Sequence, residues 1–285
     1  MQQKRPMYPI PPNPQVTKLL RMLFLIPLML LVMFYIKRNE NPNWIWTLEL
    51  IFVAALLLFA VVINLLNFYQ KKKLARFFAR LEGEVTQNGY SDAYYQICRE
   101  QYAIATKPLH KALYQIAYAD RLAEGQRYDD AFAAFDSVDL SQLPPRYCAL
   151  FFNDRLWITL QAGRVDEAQR LYAISREILS KPQPGTVGIS IRHTLAVFEL
   201  HRGNYAFAES ELLAVKYATP VTNETLHMHC NLYLGLIYLR TNRKEYAREI
   251  AQQTIPLVRT PRDKDDLAKL LKLVDAAYVQ ERMPK

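Results

Sequence analysis

Cysteine is scarce. Only Cys98, Cys148 and Cys230 occur, widely spaced and odd in number, so neither a disulfide framework nor a Cys-x-x-Cys metal motif can be built from them. Each reads as a small buried hydrophobe in a reducing compartment. Also missing are a Gly-rich phosphate loop, a Gly-x-Ser-x-Gly elbow and a His-Glu-x-x-His motif. With them go the usual signatures of nucleotide, acyl-transfer and zinc-hydrolase chemistry. The one local cluster of metal-capable side chains is His227-Met228-His229-Cys230. On a helix it offers His227 and Cys230 to one face; His193 and His201, on the preceding unit, are the further donors available, and two ligands do not close a site. The expectation is a chain with no catalytic residue, no metal and no cofactor, and so not an enzyme.

Charge is missing where a nucleic acid would need it. The net charge is +9, yet residues 1–80 hold eleven Lys or Arg and only the two acids Glu40 and Glu49. The remainder therefore nets zero. A nucleic-acid-binding domain would carry its own basic face, so no nucleic-acid partner is expected.

What is present begins with two apolar runs. Residues 17–36 and 46–68 each approach the ~20 residues that a membrane-crossing helix requires. The first is lengthened by Lys18 and Arg21, which can snorkel to the headgroups, and no small-residue cleavage site follows it. Lys4, Arg5, Lys18 and Arg21 precede the first run, and Lys71, Lys72, Lys73, Arg76 and Arg80 follow the second. The basic flanks place both termini in the cytoplasm, with the short loop outside. Lys18, Arg21, Lys71, Lys72, Lys73 and Arg76 are then the side chains that meet anionic headgroups. Before the hairpin, residues 1–16 are proline-rich and expected to be extended.

From residue 71 to 285 the pattern is periodic. A turn residue followed by a helix with an alanine recurs at Gly89 to Ala93, Gly125 to Ala131, Gly163 to Ala168, Gly203 to Ala208 and Asn242 to Ala247. Successive alanines are 38, 37, 40 and 39 residues apart. Leu109, Ala112, Leu113, Ile116 and Ala117 follow the spacing of a helix with one apolar face. The Gly or Asn is expected to cap one helix in a left-handed conformation, and the alanine to let the next approach closely. Pro108, Pro144-Pro145, Pro182 to Pro184 and Pro220 break the chain between units. Asp129-Asp130 and Asp166-Glu167 read as complements to helix dipoles. Residues 263–285 read as a terminal helix that caps the stack, with Pro261 at its first position.

These residues resemble a tetratricopeptide-repeat array. Leu234-Gly235-Leu236-Ile237-Tyr238 followed by Ala247, Ala131 with Phe135, and Ala168 with Tyr172 match parts of the repeat signature. The period is longer than that family's 34 residues. After the transmembrane hairpin read from the apolar runs, the resemblance implies a solenoid of about five helix pairs plus a capping helix, so the expected chain is all-α. It also implies a groove lined by the first helices, with Gln115, Asn153, Trp157, His193, His201 and Arg240 facing a peptide or partner protein. Trp157 either anchors that partner or fills the core between units. The expected protein is thus a multi-pass cell-membrane scaffold. Two alternatives are an accessory subunit whose spans pair within a larger membrane complex and an enzyme with an unrecognised helical site.

Overall fold

In the computed structural model residues 45–282 are described apart from 104, 106 and 260, and of the preceding stretch Met29 alone. The expected proline-rich tail, the first apolar run, Lys18 and Arg21 fall outside the described residues. Those described are all-α, with no strand among them, as the periodicity predicts.

The chain forms two units, divided between Gly83 and Glu84. Helix α1 (Ile45–Asn88), most of which belongs to the first, carries the second apolar run. Many of the run's described apolar side chains are exposed, among them Leu57 at 64%, Leu58 at 61% and Leu65 at 61%. Among the described residues no helix is long and apolar enough to cross a membrane. Side chains of the run are described without a break only over residues 53–66, fewer than the ~20 a span takes. Lys72, Lys73 and Arg76 are exposed on α1, and the side chain of Lys71 is not described.

The second unit is built from helix pairs. They are α2 (Asp92–Tyr102), α3 (Pro108–Glu124) with α4 (Tyr128–Asp136), α5 (Pro145–Gln161) with α6 (Val165–Leu179), α7 (Gly185–His201) with α8 (Tyr205–Ala218), and α9 (Glu224–Arg240) with α10 (Lys244–Thr254). Helix α11 (Pro261–Arg282) ends the described chain. Each pair packs most closely within itself, and α3, α5, α7 and α9 also pack on one another in succession, so the first helices form one layer. The arrangement is consistent with a helical solenoid.

The turn inside each pair has one geometry. The left-handed residues are Gly89, Gln126, Gly163, Gly203 and Asn242, with φ between 59° and 81°. At the last four, the following amide donates to the carbonyl five residues back: Arg127 to Leu122, Arg164 to Thr159, Asn204 to Glu199 and Arg243 to Tyr238. This double-bonded cap satisfies the last carbonyls of the first helix. The residue five after the left-handed one is then fully buried: Ala131, Ala168, Ala208 and Ala247 are all at 0%. Two details of the sequence pattern are corrected. The left-handed residue of the second turn is Gln126, with Gly125 at φ −88°. In the first turn the fifth position is Tyr94, buried at 2%, and Ala93 is exposed.

Between units the acids do more than complement dipoles. The arginine after the left-handed residue reaches back to the preceding unit, Arg127 to Asp92 at 3.6 Å, Arg164 to Asp129, and Arg243 to Glu209 at 2.5 Å. Each guanidinium also lies over a ring, of Tyr95, Phe132 and Tyr238, at 4.8, 4.4 and 4.6 Å. Asn204 interrupts this ladder and bonds instead to Glu199 of its own pair. The pairs are partly exposed, so each contributes ~0–1 kcal/mol, and their use is to fix register between units.

The expected capping face of α11 is observed in part: Leu267, Leu270 and Val274 are buried against Met228, Leu232, Ala247 and Ala251. Gly235 permits that contact, because a Cβ there would stand 2.8 Å from Leu270.

Two substitutions check the turn geometry by urea unfolding. A side chain held in left-handed backbone costs ~1–2 kcal/mol, only partly offset by glycine's entropy. Gln126→Gly is therefore expected to stabilise the domain by ~0.5–1 kcal/mol. Gly125→Ala is expected to destabilise it by ~1–3 kcal/mol, since the added Cβ would fall 1.8 Å from the Tyr95 hydroxyl.

Candidate functional site

The common turn sets the period of the first helices, and the period lines up their side chains. Trp157 on α5, His193 on α7 and His229 on α9 follow one another at intervals of 36 residues. Their rings meet across the layer. Trp157 lies 5.0 Å from His193 and 5.5 Å from His229, centroid to centroid, and the two imidazoles stack at 6.0 Å. Tyr233, one turn after His229, completes the group at 6.0 Å from both Trp157 and His193.

Burial differs along the row. His193 is 4% exposed, and its Nε2 has no hydrogen-bond partner among the described residues. Burial, helped by neighbouring His229, pulls its pKa down from 6.5 to about 3. The ring is therefore neutral at physiological pH, where a charged imidazolium would pay the desolvation cost. Burial and the Asp266 carboxylate push the Tyr233 phenol above its usual value. Trp157 is half-buried and packs on the core, so it fills the space between units while keeping one side open. Asn153, one turn before it, is 4% exposed; its amide donates to Asp154 at 3.0 Å, and its Oδ1 has no partner among the described residues.

The last helix returns to this layer. Arg262, in the first turn of α11, donates to the Ala123 carbonyl at 2.9 Å, to Gln161 Oε1 at 2.6 Å and to the Tyr128 hydroxyl at 3.3 Å. It thereby ties α11 to the ends of α3 and α5 and to the start of α4. Its side chain is only 16% exposed and is faced by Asp266 at 3.8 Å. The expected cap is therefore also a clasp across the ends of α3 and α5.

Of the six residues assigned to the groove, Trp157, His193 and Asn153 gather at this cluster. Gln115 lines a separate cavity between α2 and α3. His201 and Arg240 are exposed in the last turns of α7 and α9. Sequence reasoning missed Tyr233, Arg262 and the place of His229 in the row. The 36-residue interval carries a signal for His229, whereas Arg262 reaches across more than a hundred residues and has none. The metal-capable cluster is not assembled: Cys230 is at 0% in the core, and His227 faces the Pro220 carbonyl at 3.3 Å. Among the described residues no group of three or more His, Cys, Asp or Glu is placed to hold a metal ion. No family model, curated protein or solved structure matches this chain.

His193 makes the domain acid-sensitive. Its folded pKa lies below its ordinary value of 6.5, so the unfolded chain binds more protons between the two. The stability contributed by the neutral ring is present above pH 6.5 and is lost as pH falls below it. Urea unfolding from pH 7 to 4.5 is expected to show a fall approaching ~1.4 kcal/mol per pH unit, flattened in His193→Gln. An equal slope in that variant would contradict the assignment.

Proposed function

We propose that the chain is a membrane-anchored interaction scaffold whose tetratricopeptide-like domain binds a partner protein or peptide in the groove of its first helices. The observation that carries the groove is the in-register row Trp157, His193, His229 and Tyr233 on three successive first helices. Of these Trp157, His229 and Tyr233 are half-buried, as binding hot spots require, while His193 is buried. The tetratricopeptide likeness draws support from the shared turn, the buried alanines and the layer of first helices.

The anchor draws support from the exposed leucines and valines of α1, which in water would form an apolar surface larger than a monomer sustains. Exposed Lys72, Lys73 and Arg76 follow them, where anionic headgroups favour positive charge. Both termini then lie in the cytoplasm of a two-span protein of the cell membrane. Tethering raises the partner's local concentration near other membrane components without a new contact.

Crosslinking with mass spectrometry on the full chain in its native membrane tests the proposal. A partner crosslinked near α5, α7 and α9 is expected, with yield reduced at least tenfold by Trp157→Ala or Asn153→Ala while the helical circular dichroism is unchanged. Crosslinks confined to the apolar segments would favour the accessory-subunit alternative and overturn the groove.

A further inference from the structure

One cavity stands apart from the Trp157 row. It is an open pocket of about 390 Å³ between α2 and α3, lined by the exposed Arg99 and Lys111 and by Tyr114, Gln115 and Tyr118, with alanines and no acid among the described lining residues. Arg99 comes from α2 and Lys111 from α3, so two positive charges border one space.

Several arginines elsewhere in this domain are neutralised locally, though not all of its cations are. Arg121 pairs with Glu124, Arg155 with Asp136 and Arg192 with Glu211. Arg99 and Lys111 make no ion pair among the described residues. Two uncompensated cations beside a concave, partly apolar space repel one another and favour an anion between them. Arginine offers a planar fork of donors, and lysine a compact point charge. The Gln115 side-chain amide adds neutral donors.

We propose that this cavity binds a phosphomonoester. Such a group carries ~1.5–2 negative charges at neutral pH and three strong acceptor oxygens, enough to engage Arg99, Lys111 and Gln115 together. The volume lies within the ~300–1,000 Å³ of small-molecule sites and leaves room for an organic body against the rings of Tyr114 and Tyr118. A lipid headgroup such as that of phosphatidic acid and a soluble ester such as glycerol 3-phosphate present the same chemistry. The site does not depend on the groove around Trp157.

Isothermal titration of the full chain in neutral-detergent micelles tests the proposal. One arm adds glycerol 3-phosphate; the other adds micelles doped with phosphatidic acid, compared with phosphatidylcholine. Saturable binding is expected in at least one arm, weakened at least tenfold by Arg99→Gln and by Lys111→Gln. Arg170→Gln, which removes an exposed charge on α6, is expected to leave it unchanged. Binding of the soluble ester assigns a soluble ligand, and binding of phosphatidic acid alone assigns a headgroup; either supports the site. Circular dichroism checks that the variants fold, and Arg99→Lys, which keeps the charge and loses the fork, is expected to weaken binding about threefold. Absence of saturable binding in both arms, or equal losses in all variants including Arg170→Gln, would overturn it.

Discussion

The structure of the helical domain rests on one local constraint: a helix must end in a left-handed residue, and the fifth residue after it must be small enough to vanish into the neighbouring helix. Four times the same pair of backbone hydrogen bonds closes the first helix, and four times an alanine at 0% exposure follows. A larger side chain there would force the two helices of a pair apart, at a cost of ~1–3 kcal/mol. Because the turn recurs with nearly constant period, the first helices stack in a common orientation. The alignment of Trp157, His193 and His229 is a consequence of that period.

Stacked repeats ordinarily touch only their neighbours. Here α11 departs from that rule, since Arg262 joins the end of the described chain to α3 and α5. The contact uses a buried guanidinium with three uncharged acceptors and one carboxylate, bonds that contribute more than neutral pairs and are costly to leave unmade. The clasp lies close to the row of rings, since Asp266 and Arg262 both act on the Tyr233 phenol. The row is aromatic, with His193 held neutral at its centre, while the arginine ladder runs between the pairs.

Much of this was legible in the sequence, for identifiable reasons. Helix pairing and breaks were visible because prolines and left-handed residues act locally, and alanine spacing reports packing directly. The first unit misled because Tyr94 occupies the small-residue position there and Ala93 beside it resembles the pattern. Gln126 was hidden behind Gly125, the residue one would assign to a left-handed turn; Gly125 is instead required by the close approach of Tyr95. Asn153, Trp157 and His193 could be placed by register. Gln115, His201 and Arg240 could not be resolved into one site, because register gives a face and not a depth. Arg262 lay beyond any periodic argument, since its hydrogen-bond partners stand 101 to 139 residues away in the chain.

The claim on which the account turns is that the last helix closes the layer of first helices. Hydrogen exchange of the full chain, wild type against Arg262→Ala, addresses it most directly. The account predicts faster exchange together in α11 and in the C-terminal turns of α3 and α5, with α7 and α8 little changed. Faster exchange confined to α11 would contradict it.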